Sequence, residues 1–163
     1  MTQGSEAAIK TLDVGTFSNP RHAEMFAITR AHGEAEFTQD LDLTMAALTD
    51  DIWWEFGNLG IRCEGPVAVR EWYRRILPAL IGAIEDVEEK SVAFGENHLV
   101  VDHHLKVRLP NGSIRECPSI SLYYFRGDKI CGERNFCDAD MTDLYRHAIG
   151  PDVTDFPGIY YLK

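Results

Sequence analysis

The segment 99–109, LVVDHHLKVRL, alternates in a way that gathers reactive side chains on one face of a strand. Successive strand side chains point to opposite sides. Asp102, His104 and Lys106 therefore share one face, and Leu99, Val101, His103, Leu105 and Val107 share the other. An imidazole titrates near neutral pH and can both take and return a proton, so His104 is the residue type for acid/base work. Asp102, two residues away, would orient its ring, and Lys106 would steady a developing enolate or carboxylate. His103 on the apolar face reads as a buried histidine or one at a dimer interface. A two-residue turn at Asn111-Gly112 pairs His104 with Ser119, and a three-residue turn at Arg126-Gly127-Asp128 pairs Ser119 with Asn135. That register sets His104, Ser119 and Asn135 in one row on one face. His32 shares a helical stripe with Met25, Thr29 and Glu36 and is a second candidate for proton transfer. Trp54, Phe56 and Tyr123 supply aromatic walls suited to a flat, apolar ligand.

Those residues need a fold to position them. At 163 residues with 45% apolar content, the chain reads as one globular domain with a real core. Its formal charge of −10 argues against nucleic acid and anionic membranes as partners. No run approaches the roughly 20 apolar residues of a membrane span. The start, MTQGSEAAIKTLDVG, lacks the layout of a secretory leader, so a cytoplasmic location is expected. Cys63, Cys117, Cys131 and Cys137 form no C-x-x-C pair and read as free thiols. The six histidines make no H-x-H or H-x-x-x-H spacing, and no phosphate loop or nucleophile elbow is present. No metal and no cofactor are expected.

Asn19-Pro20 is a helix start, cap followed by proline at the first turn. A second short helix fits 40–48, with Asp40 as its cap. DDIWWEF is a strand by its aromatic and β-branched content, and Gly65-Pro66 opens a helix that Pro78 should end or kink. Turn signals at GEN (95–97), PNG (110–112) and RGD (126–128) separate runs of alternating residues, the pattern of long antiparallel strands. A last helix fits 140–148, and the tail 149–163 carries apolar residues that call for burial. Helices placed before such a sheet indicate α+β.

This order, together with LTDDIWWEF, GPVAVREWY and GDKICGERNFCD, resembles the nuclear transport factor 2-like superfamily over about residues 20–148, and within it the SnoaL-like polyketide cyclases. The resemblance implies a single domain in which a strongly curved, cone-shaped sheet wraps the N-terminal helices around a pocket. It also turns the polar face of segment 99–109 toward that pocket and its apolar face toward a partner subunit. The related ketosteroid isomerases and limonene epoxide hydrolases mark positions for comparison. The isomerase base falls at Phe56, its helix tyrosine at His32 and its oxyanion-hole acid at Ser121. The hydrolase Asp, Arg and Asp fall at Lys106, His104 and Asn135. Neither residue set survives here, so the resemblance implies the site's location and not those reactions. The resulting expectation is a cofactor-independent isomerase, dehydratase or cyclase, a homodimer acting on a small, apolar or aromatic, polyketide-like carbonyl compound. His104, Asn135, His32 and Lys106 would be catalytic. Trp54, Phe56, Ser121, Tyr123 and Asp102 would bind the substrate. The alternative is a non-catalytic ligand-binding or dimerisation module of the same fold.

Overall fold

The computed structural model describes residues 8–10 and 12–163. The first seven residues and Thr11, part of the stretch read for a leader, lie outside the described residues. No helix among the described residues is long and apolar enough to cross a membrane.

The chain runs β1 (Ala8–Lys10), α1 (Pro20–Phe37), α2 (Leu41–Ala46), β2 (Leu48–Phe56), β3 (Ile61–Glu64), α3 (Pro66–Ala83), β4 (Ile84–Phe94), β5 (His98–Arg108), β6 (Ile114–Arg126), β7 (Lys129–Cys137), α4 (Ala139–Ile149) and β8 (Ile159–Tyr161). Asn19 caps α1 by accepting the Arg21 N–H at 2.9 Å, and Asp40 caps α2 by accepting the Leu43 N–H at 3.0 Å. Helix α3 continues through Pro78 to Ala83. Proline costs a backbone hydrogen bond, but Ile76, Leu77 and Leu80 around it are buried in the core, and that packing outweighs the local break.

The strands form one mixed sheet in the order β1-β4-β5-β6-β7-β2-β3-β8. β1 runs parallel to β4 and β2 parallel to β7; the other neighbours are antiparallel. The short strands β1, β3 and β8 add to the elements expected from sequence, because three or four residues are too few to show an alternation. The tail partly meets its expected burial. Val153 and Ile159 are buried and β8 extends the sheet beside β3, while Tyr160, Tyr161 and Leu162 stay exposed.

Two turns decide which side chains face the helices. Between β5 and β6 the turn has three residues, not two. The Leu109 N–H donates to the Ser113 carbonyl at 2.9 Å, and Gly112 adopts φ +83 to close it. His103 therefore pairs with Ser119, and His104 with Pro118. A slip of one residue turns every side chain to the other face. Between β6 and β7 the turn has two residues, Gly127-Asp128, but an extra residue at Cys131 bulges the ladder. Ser121 then pairs with Asn135, and Asn135 keeps its inward side.

The face assignment of segment 99–109 is thereby corrected. Leu99, Val101 and Val107 are buried beneath the helices, and His103 and Leu105 line an interior cavity. Asp102, His104 and Lys106 point to the outer face. The apolar side of this strand, expected to meet a partner subunit, is interior.

Candidate functional site

Four elements bring a connected polar cluster into the apolar interior. Helix α1 supplies His32 and Glu36, one turn apart on the same face. Helix α3 supplies Tyr73, β7 supplies Glu133 and Asn135, and β6 supplies Ser121 and Tyr123. All but His32 line a cavity of about 140 Å³ whose remaining walls include Trp54, Ile76, Leu80 and Tyr145; His32 lies behind Glu36 and Tyr73, in contact with both.

His32 is the centre of the cluster and is 1% exposed. Its Nδ1–H donates to the Thr44 carbonyl at 3.2 Å. Thr44 lies in the last turn of the short helix α2, where carbonyls lack helical partners, so this bond satisfies both groups. His32 Nε2 lies 3.1 Å from the Tyr73 hydroxyl, 3.2 Å from Glu36 Oε1 and 3.7 Å from Glu133 Oε2. The Tyr73 hydroxyl donates to Glu133 Oε2 at 3.0 Å, and Asn135 Nδ2 donates to Glu133 Oε1 at 2.8 Å. Ser121 Oγ donates to Asn135 Oδ1 at 2.5 Å.

Electrostatics assign protonation states. Burial pulls the His32 pKa down, but the Glu36 charge and hydrogen bonds that the ring donates to both glutamates outweigh it and raise the pKa to about 10. His32 is then an imidazolium at neutral pH, held between two carboxylates. Burial, reinforced by the Glu133 charge, pushes the Tyr73 and Tyr123 phenols well up, so both remain neutral donors. Burial draws the His103 pKa down, which leaves a neutral imidazole on the cavity wall. Glu133 is saturated by donors on both oxygens. Glu36 accepts only from His32, and its second oxygen has no protein partner among the described residues. Asn135 uses one of its two amide hydrogens on Glu133, which leaves the other for a ligand oxygen.

The donor atoms of His32, Glu36 and Glu133 lie within 4.8 Å of one another and could hold a divalent ion. The trio joins one histidine to two glutamates from α1 and β7, a grouping that histidine spacing along the chain does not reveal.

Of the expected site residues, the cavity gathers Asn135, Ser121, Tyr123 and Trp54, and His32 backs it through Glu36 and Tyr73. Phe56 is wholly buried but lies in the core, stacked on Trp54 at 6.0 Å and tilted against Tyr145 at 4.2 Å between ring centroids. His104 and Lys106 lie in an outer groove with Asp86, Glu88 and Lys90, and Asp102 is on the same outer face. The structure does not bring them together with Asn135. The cavity holds three groups not singled out from sequence for chemistry, Glu36, Tyr73 and Glu133. Two of them had a readable signal. Glu36 stands four residues after His32 on one helix face, and Glu133 stands two residues before Asn135 on one strand face.

The arrangement of helices and sheet is the nuclear transport factor 2-like fold, an α+β cone. The sequence matches no family model and no curated protein. Solved structures share the fold. A putative SnoaL-like polyketide cyclase from Jannaschia superposes with a TM-score of 0.64 at 19% identity, over 80% of this chain and 98% of that one. An NTF2-like protein of unknown function from Burkholderia pseudomallei gives 0.63 at 19% identity, over 75% and 97%. A hypothetical protein with a ketosteroid isomerase-like fold from Catenulispora acidiphila, in complex with trimethylamine, gives 0.57 at 14% identity, over 67% and 83%.

Proposed function

We propose that this protein is an acid/base enzyme that moves a proton next to the carbonyl of a small, apolar or aromatic compound held in the interior cavity. The observation that carries the reading is the convergence of two carboxylates and neutral donors on one largely apolar, half-open cavity, with the His32 imidazolium directly behind both carboxylates. A module that only binds a ligand has no need of an internal ion cluster, since buried charge is costly to desolvate.

In this reading the free oxygen of Glu36 takes the proton from the carbon beside the carbonyl. The spare Asn135 amide hydrogen and the Tyr123 hydroxyl hold the carbonyl oxygen as negative charge gathers there. Such donors are strengthened by the exclusion of water. The His32 imidazolium holds Glu36 in place by donating to its Oε1, and Glu133 holds His32 through Tyr73. Returning the proton at another carbon gives isomerisation; losing a hydroxide or adding to a second carbonyl gives dehydration or cyclisation. The comparison with a putative polyketide cyclase is consistent with this chemistry but, at 19% identity, speaks only for the fold.

The test is exchange of the α-protons of 2-indanone in D2O, followed by NMR. Wild-type protein is expected to accelerate it, and Glu36→Gln to abolish the acceleration. No acceleration by the wild type, or an unchanged rate in Glu36→Gln, rejects the assignment.

A further inference from the structure

A second cavity, of about 330 Å³, lies beside the first. It is bounded by Phe26, Arg30 and Glu34 of α1 and by Val87, Glu89 and Val101 of the sheet. Its one cation, Arg30, is engaged by Glu89 at 3.0 Å and lies against the Phe26 ring at 4.8 Å. The chamber therefore presents apolar surface with the Arg30–Glu89 pair and the exposed carboxylate of Glu34 at its rim, a lining that disfavours an anionic tail. The two cavities share Gly33, Phe37, Val87, His103 and Tyr123 as a common boundary.

Gly33 is the unusual member of that boundary. It sits inside the 18-residue helix α1, four residues before its end, where glycine is unfavourable relative to alanine. Its backbone is not in the left-handed region, so the conformation does not demand glycine. A Cβ built there meets nothing within 4 Å, so packing does not demand it either. Neither usual reason for a helical glycine applies, and the missing side chain leaves open space where both chambers meet.

We propose that the two chambers form one ligand site joined over Gly33, and that Gly33 admits an elongated ligand. The polar end of the ligand would lie at Glu36, Tyr73 and Asn135, and an apolar tail would cross the helix backbone at Gly33 into the outer chamber. The ligand class is thus a carbonyl or enol head with an uncharged hydrocarbon or aromatic extension. This rests on the proposed function for the placement of the head.

The experiment measures binding of a 4-alkylphenol series, from phenol to 4-hexylphenol, to the full chain by calorimetry. Phenol stands in for an enol head. For wild-type protein, affinity should rise by about threefold to fourfold for each methylene buried. In Gly33→Leu, the ratio of 4-hexylphenol to phenol affinity should fall at least about tenfold as the length dependence flattens. Gly33→Ala should show a smaller loss for the long ligand together with a melting temperature raised by about 2 °C, since alanine favours the helix. If Gly33→Leu fails to fold, Gly33→Ala carries the test. Equal length dependence in wild type and variants overturns the joined site while leaving the head assignment standing. Phenol binding that is unchanged in Glu36→Gln counts against the head assignment alone, with the length dependence read separately. No binding of any member by the wild type overturns both.

Discussion

Glu133 on β7 and Glu55 on β2 belong to adjacent, parallel strands, and each is 4% exposed. They face opposite sides of the sheet and have opposite kinds of partner. Glu55 accepts from Arg62 and from Arg134, each at 2.5 Å. Arg62 also lies over the Trp53 ring at 4.7 Å. Burial pushes the Glu55 pKa up, but hydrogen bonds and charge from Arg134 and Arg62 prevail and hold it below the usual carboxylate range. Permanent cations close that cluster. Glu133 instead meets Tyr73, Asn135 and a histidine that can gain or lose its proton, beside a cavity. A buried carboxylate is thus not itself a mark of a site. What separates the two is whether its compensating charge is permanent and whether open space adjoins it.

The contrast is broken most directly at Glu36. Glu36→Gln should lower exchange of 2-indanone by about 10²–10⁴-fold, the usual contribution of a positioned general base. Glu55→Ala should leave that exchange unchanged and lower stability to urea by about 2 kcal/mol. This is less than for a sealed ion pair, since both guanidiniums can reach water. The two clusters should also fail at opposite ends of the pH range. The raised His32 pKa means the folded state binds more protons than the unfolded state between 6.5 and about 10. Its stabilisation is complete below 6.5 and lost as pH rises toward about 10, and thermal melts of His32→Gln should lack that decline. The lowered Glu55 pKa works the other way, giving stability above the ordinary carboxylate range that is lost as pH falls. The smallest effect belongs to His104→Ala on the outer face. It should change stability by under about 0.5 kcal/mol and leave exchange as in the wild type. Loss of exchange in that variant would move the site to the other side of β5.

Much of the architecture was legible in the amino-acid order. Caps at Asn19 and Asp40, the aromatic strand at 52–56 and the long alternating runs determine elements through local chemistry, and their order implies the fold. His32 and Asn135 were legible as polar residues at inward positions of well-patterned elements. The choice between His103 and His104 was not. Alternation specifies two faces but not which one is covered, and here the choice hung on whether Pro110 belongs to the strand or to the turn. The bulge at Cys131 likewise sets the register of Asn135 without a local signal. By itself the sequence determined helices, strands and the polar residues that could do chemistry, because propensity and periodicity act over a few residues. Only tertiary structure decided that His32, Glu36, Tyr73 and Glu133 meet. They come from α1, α3 and β7, and their meeting depends on turn length, strand register and the helices that close over the sheet.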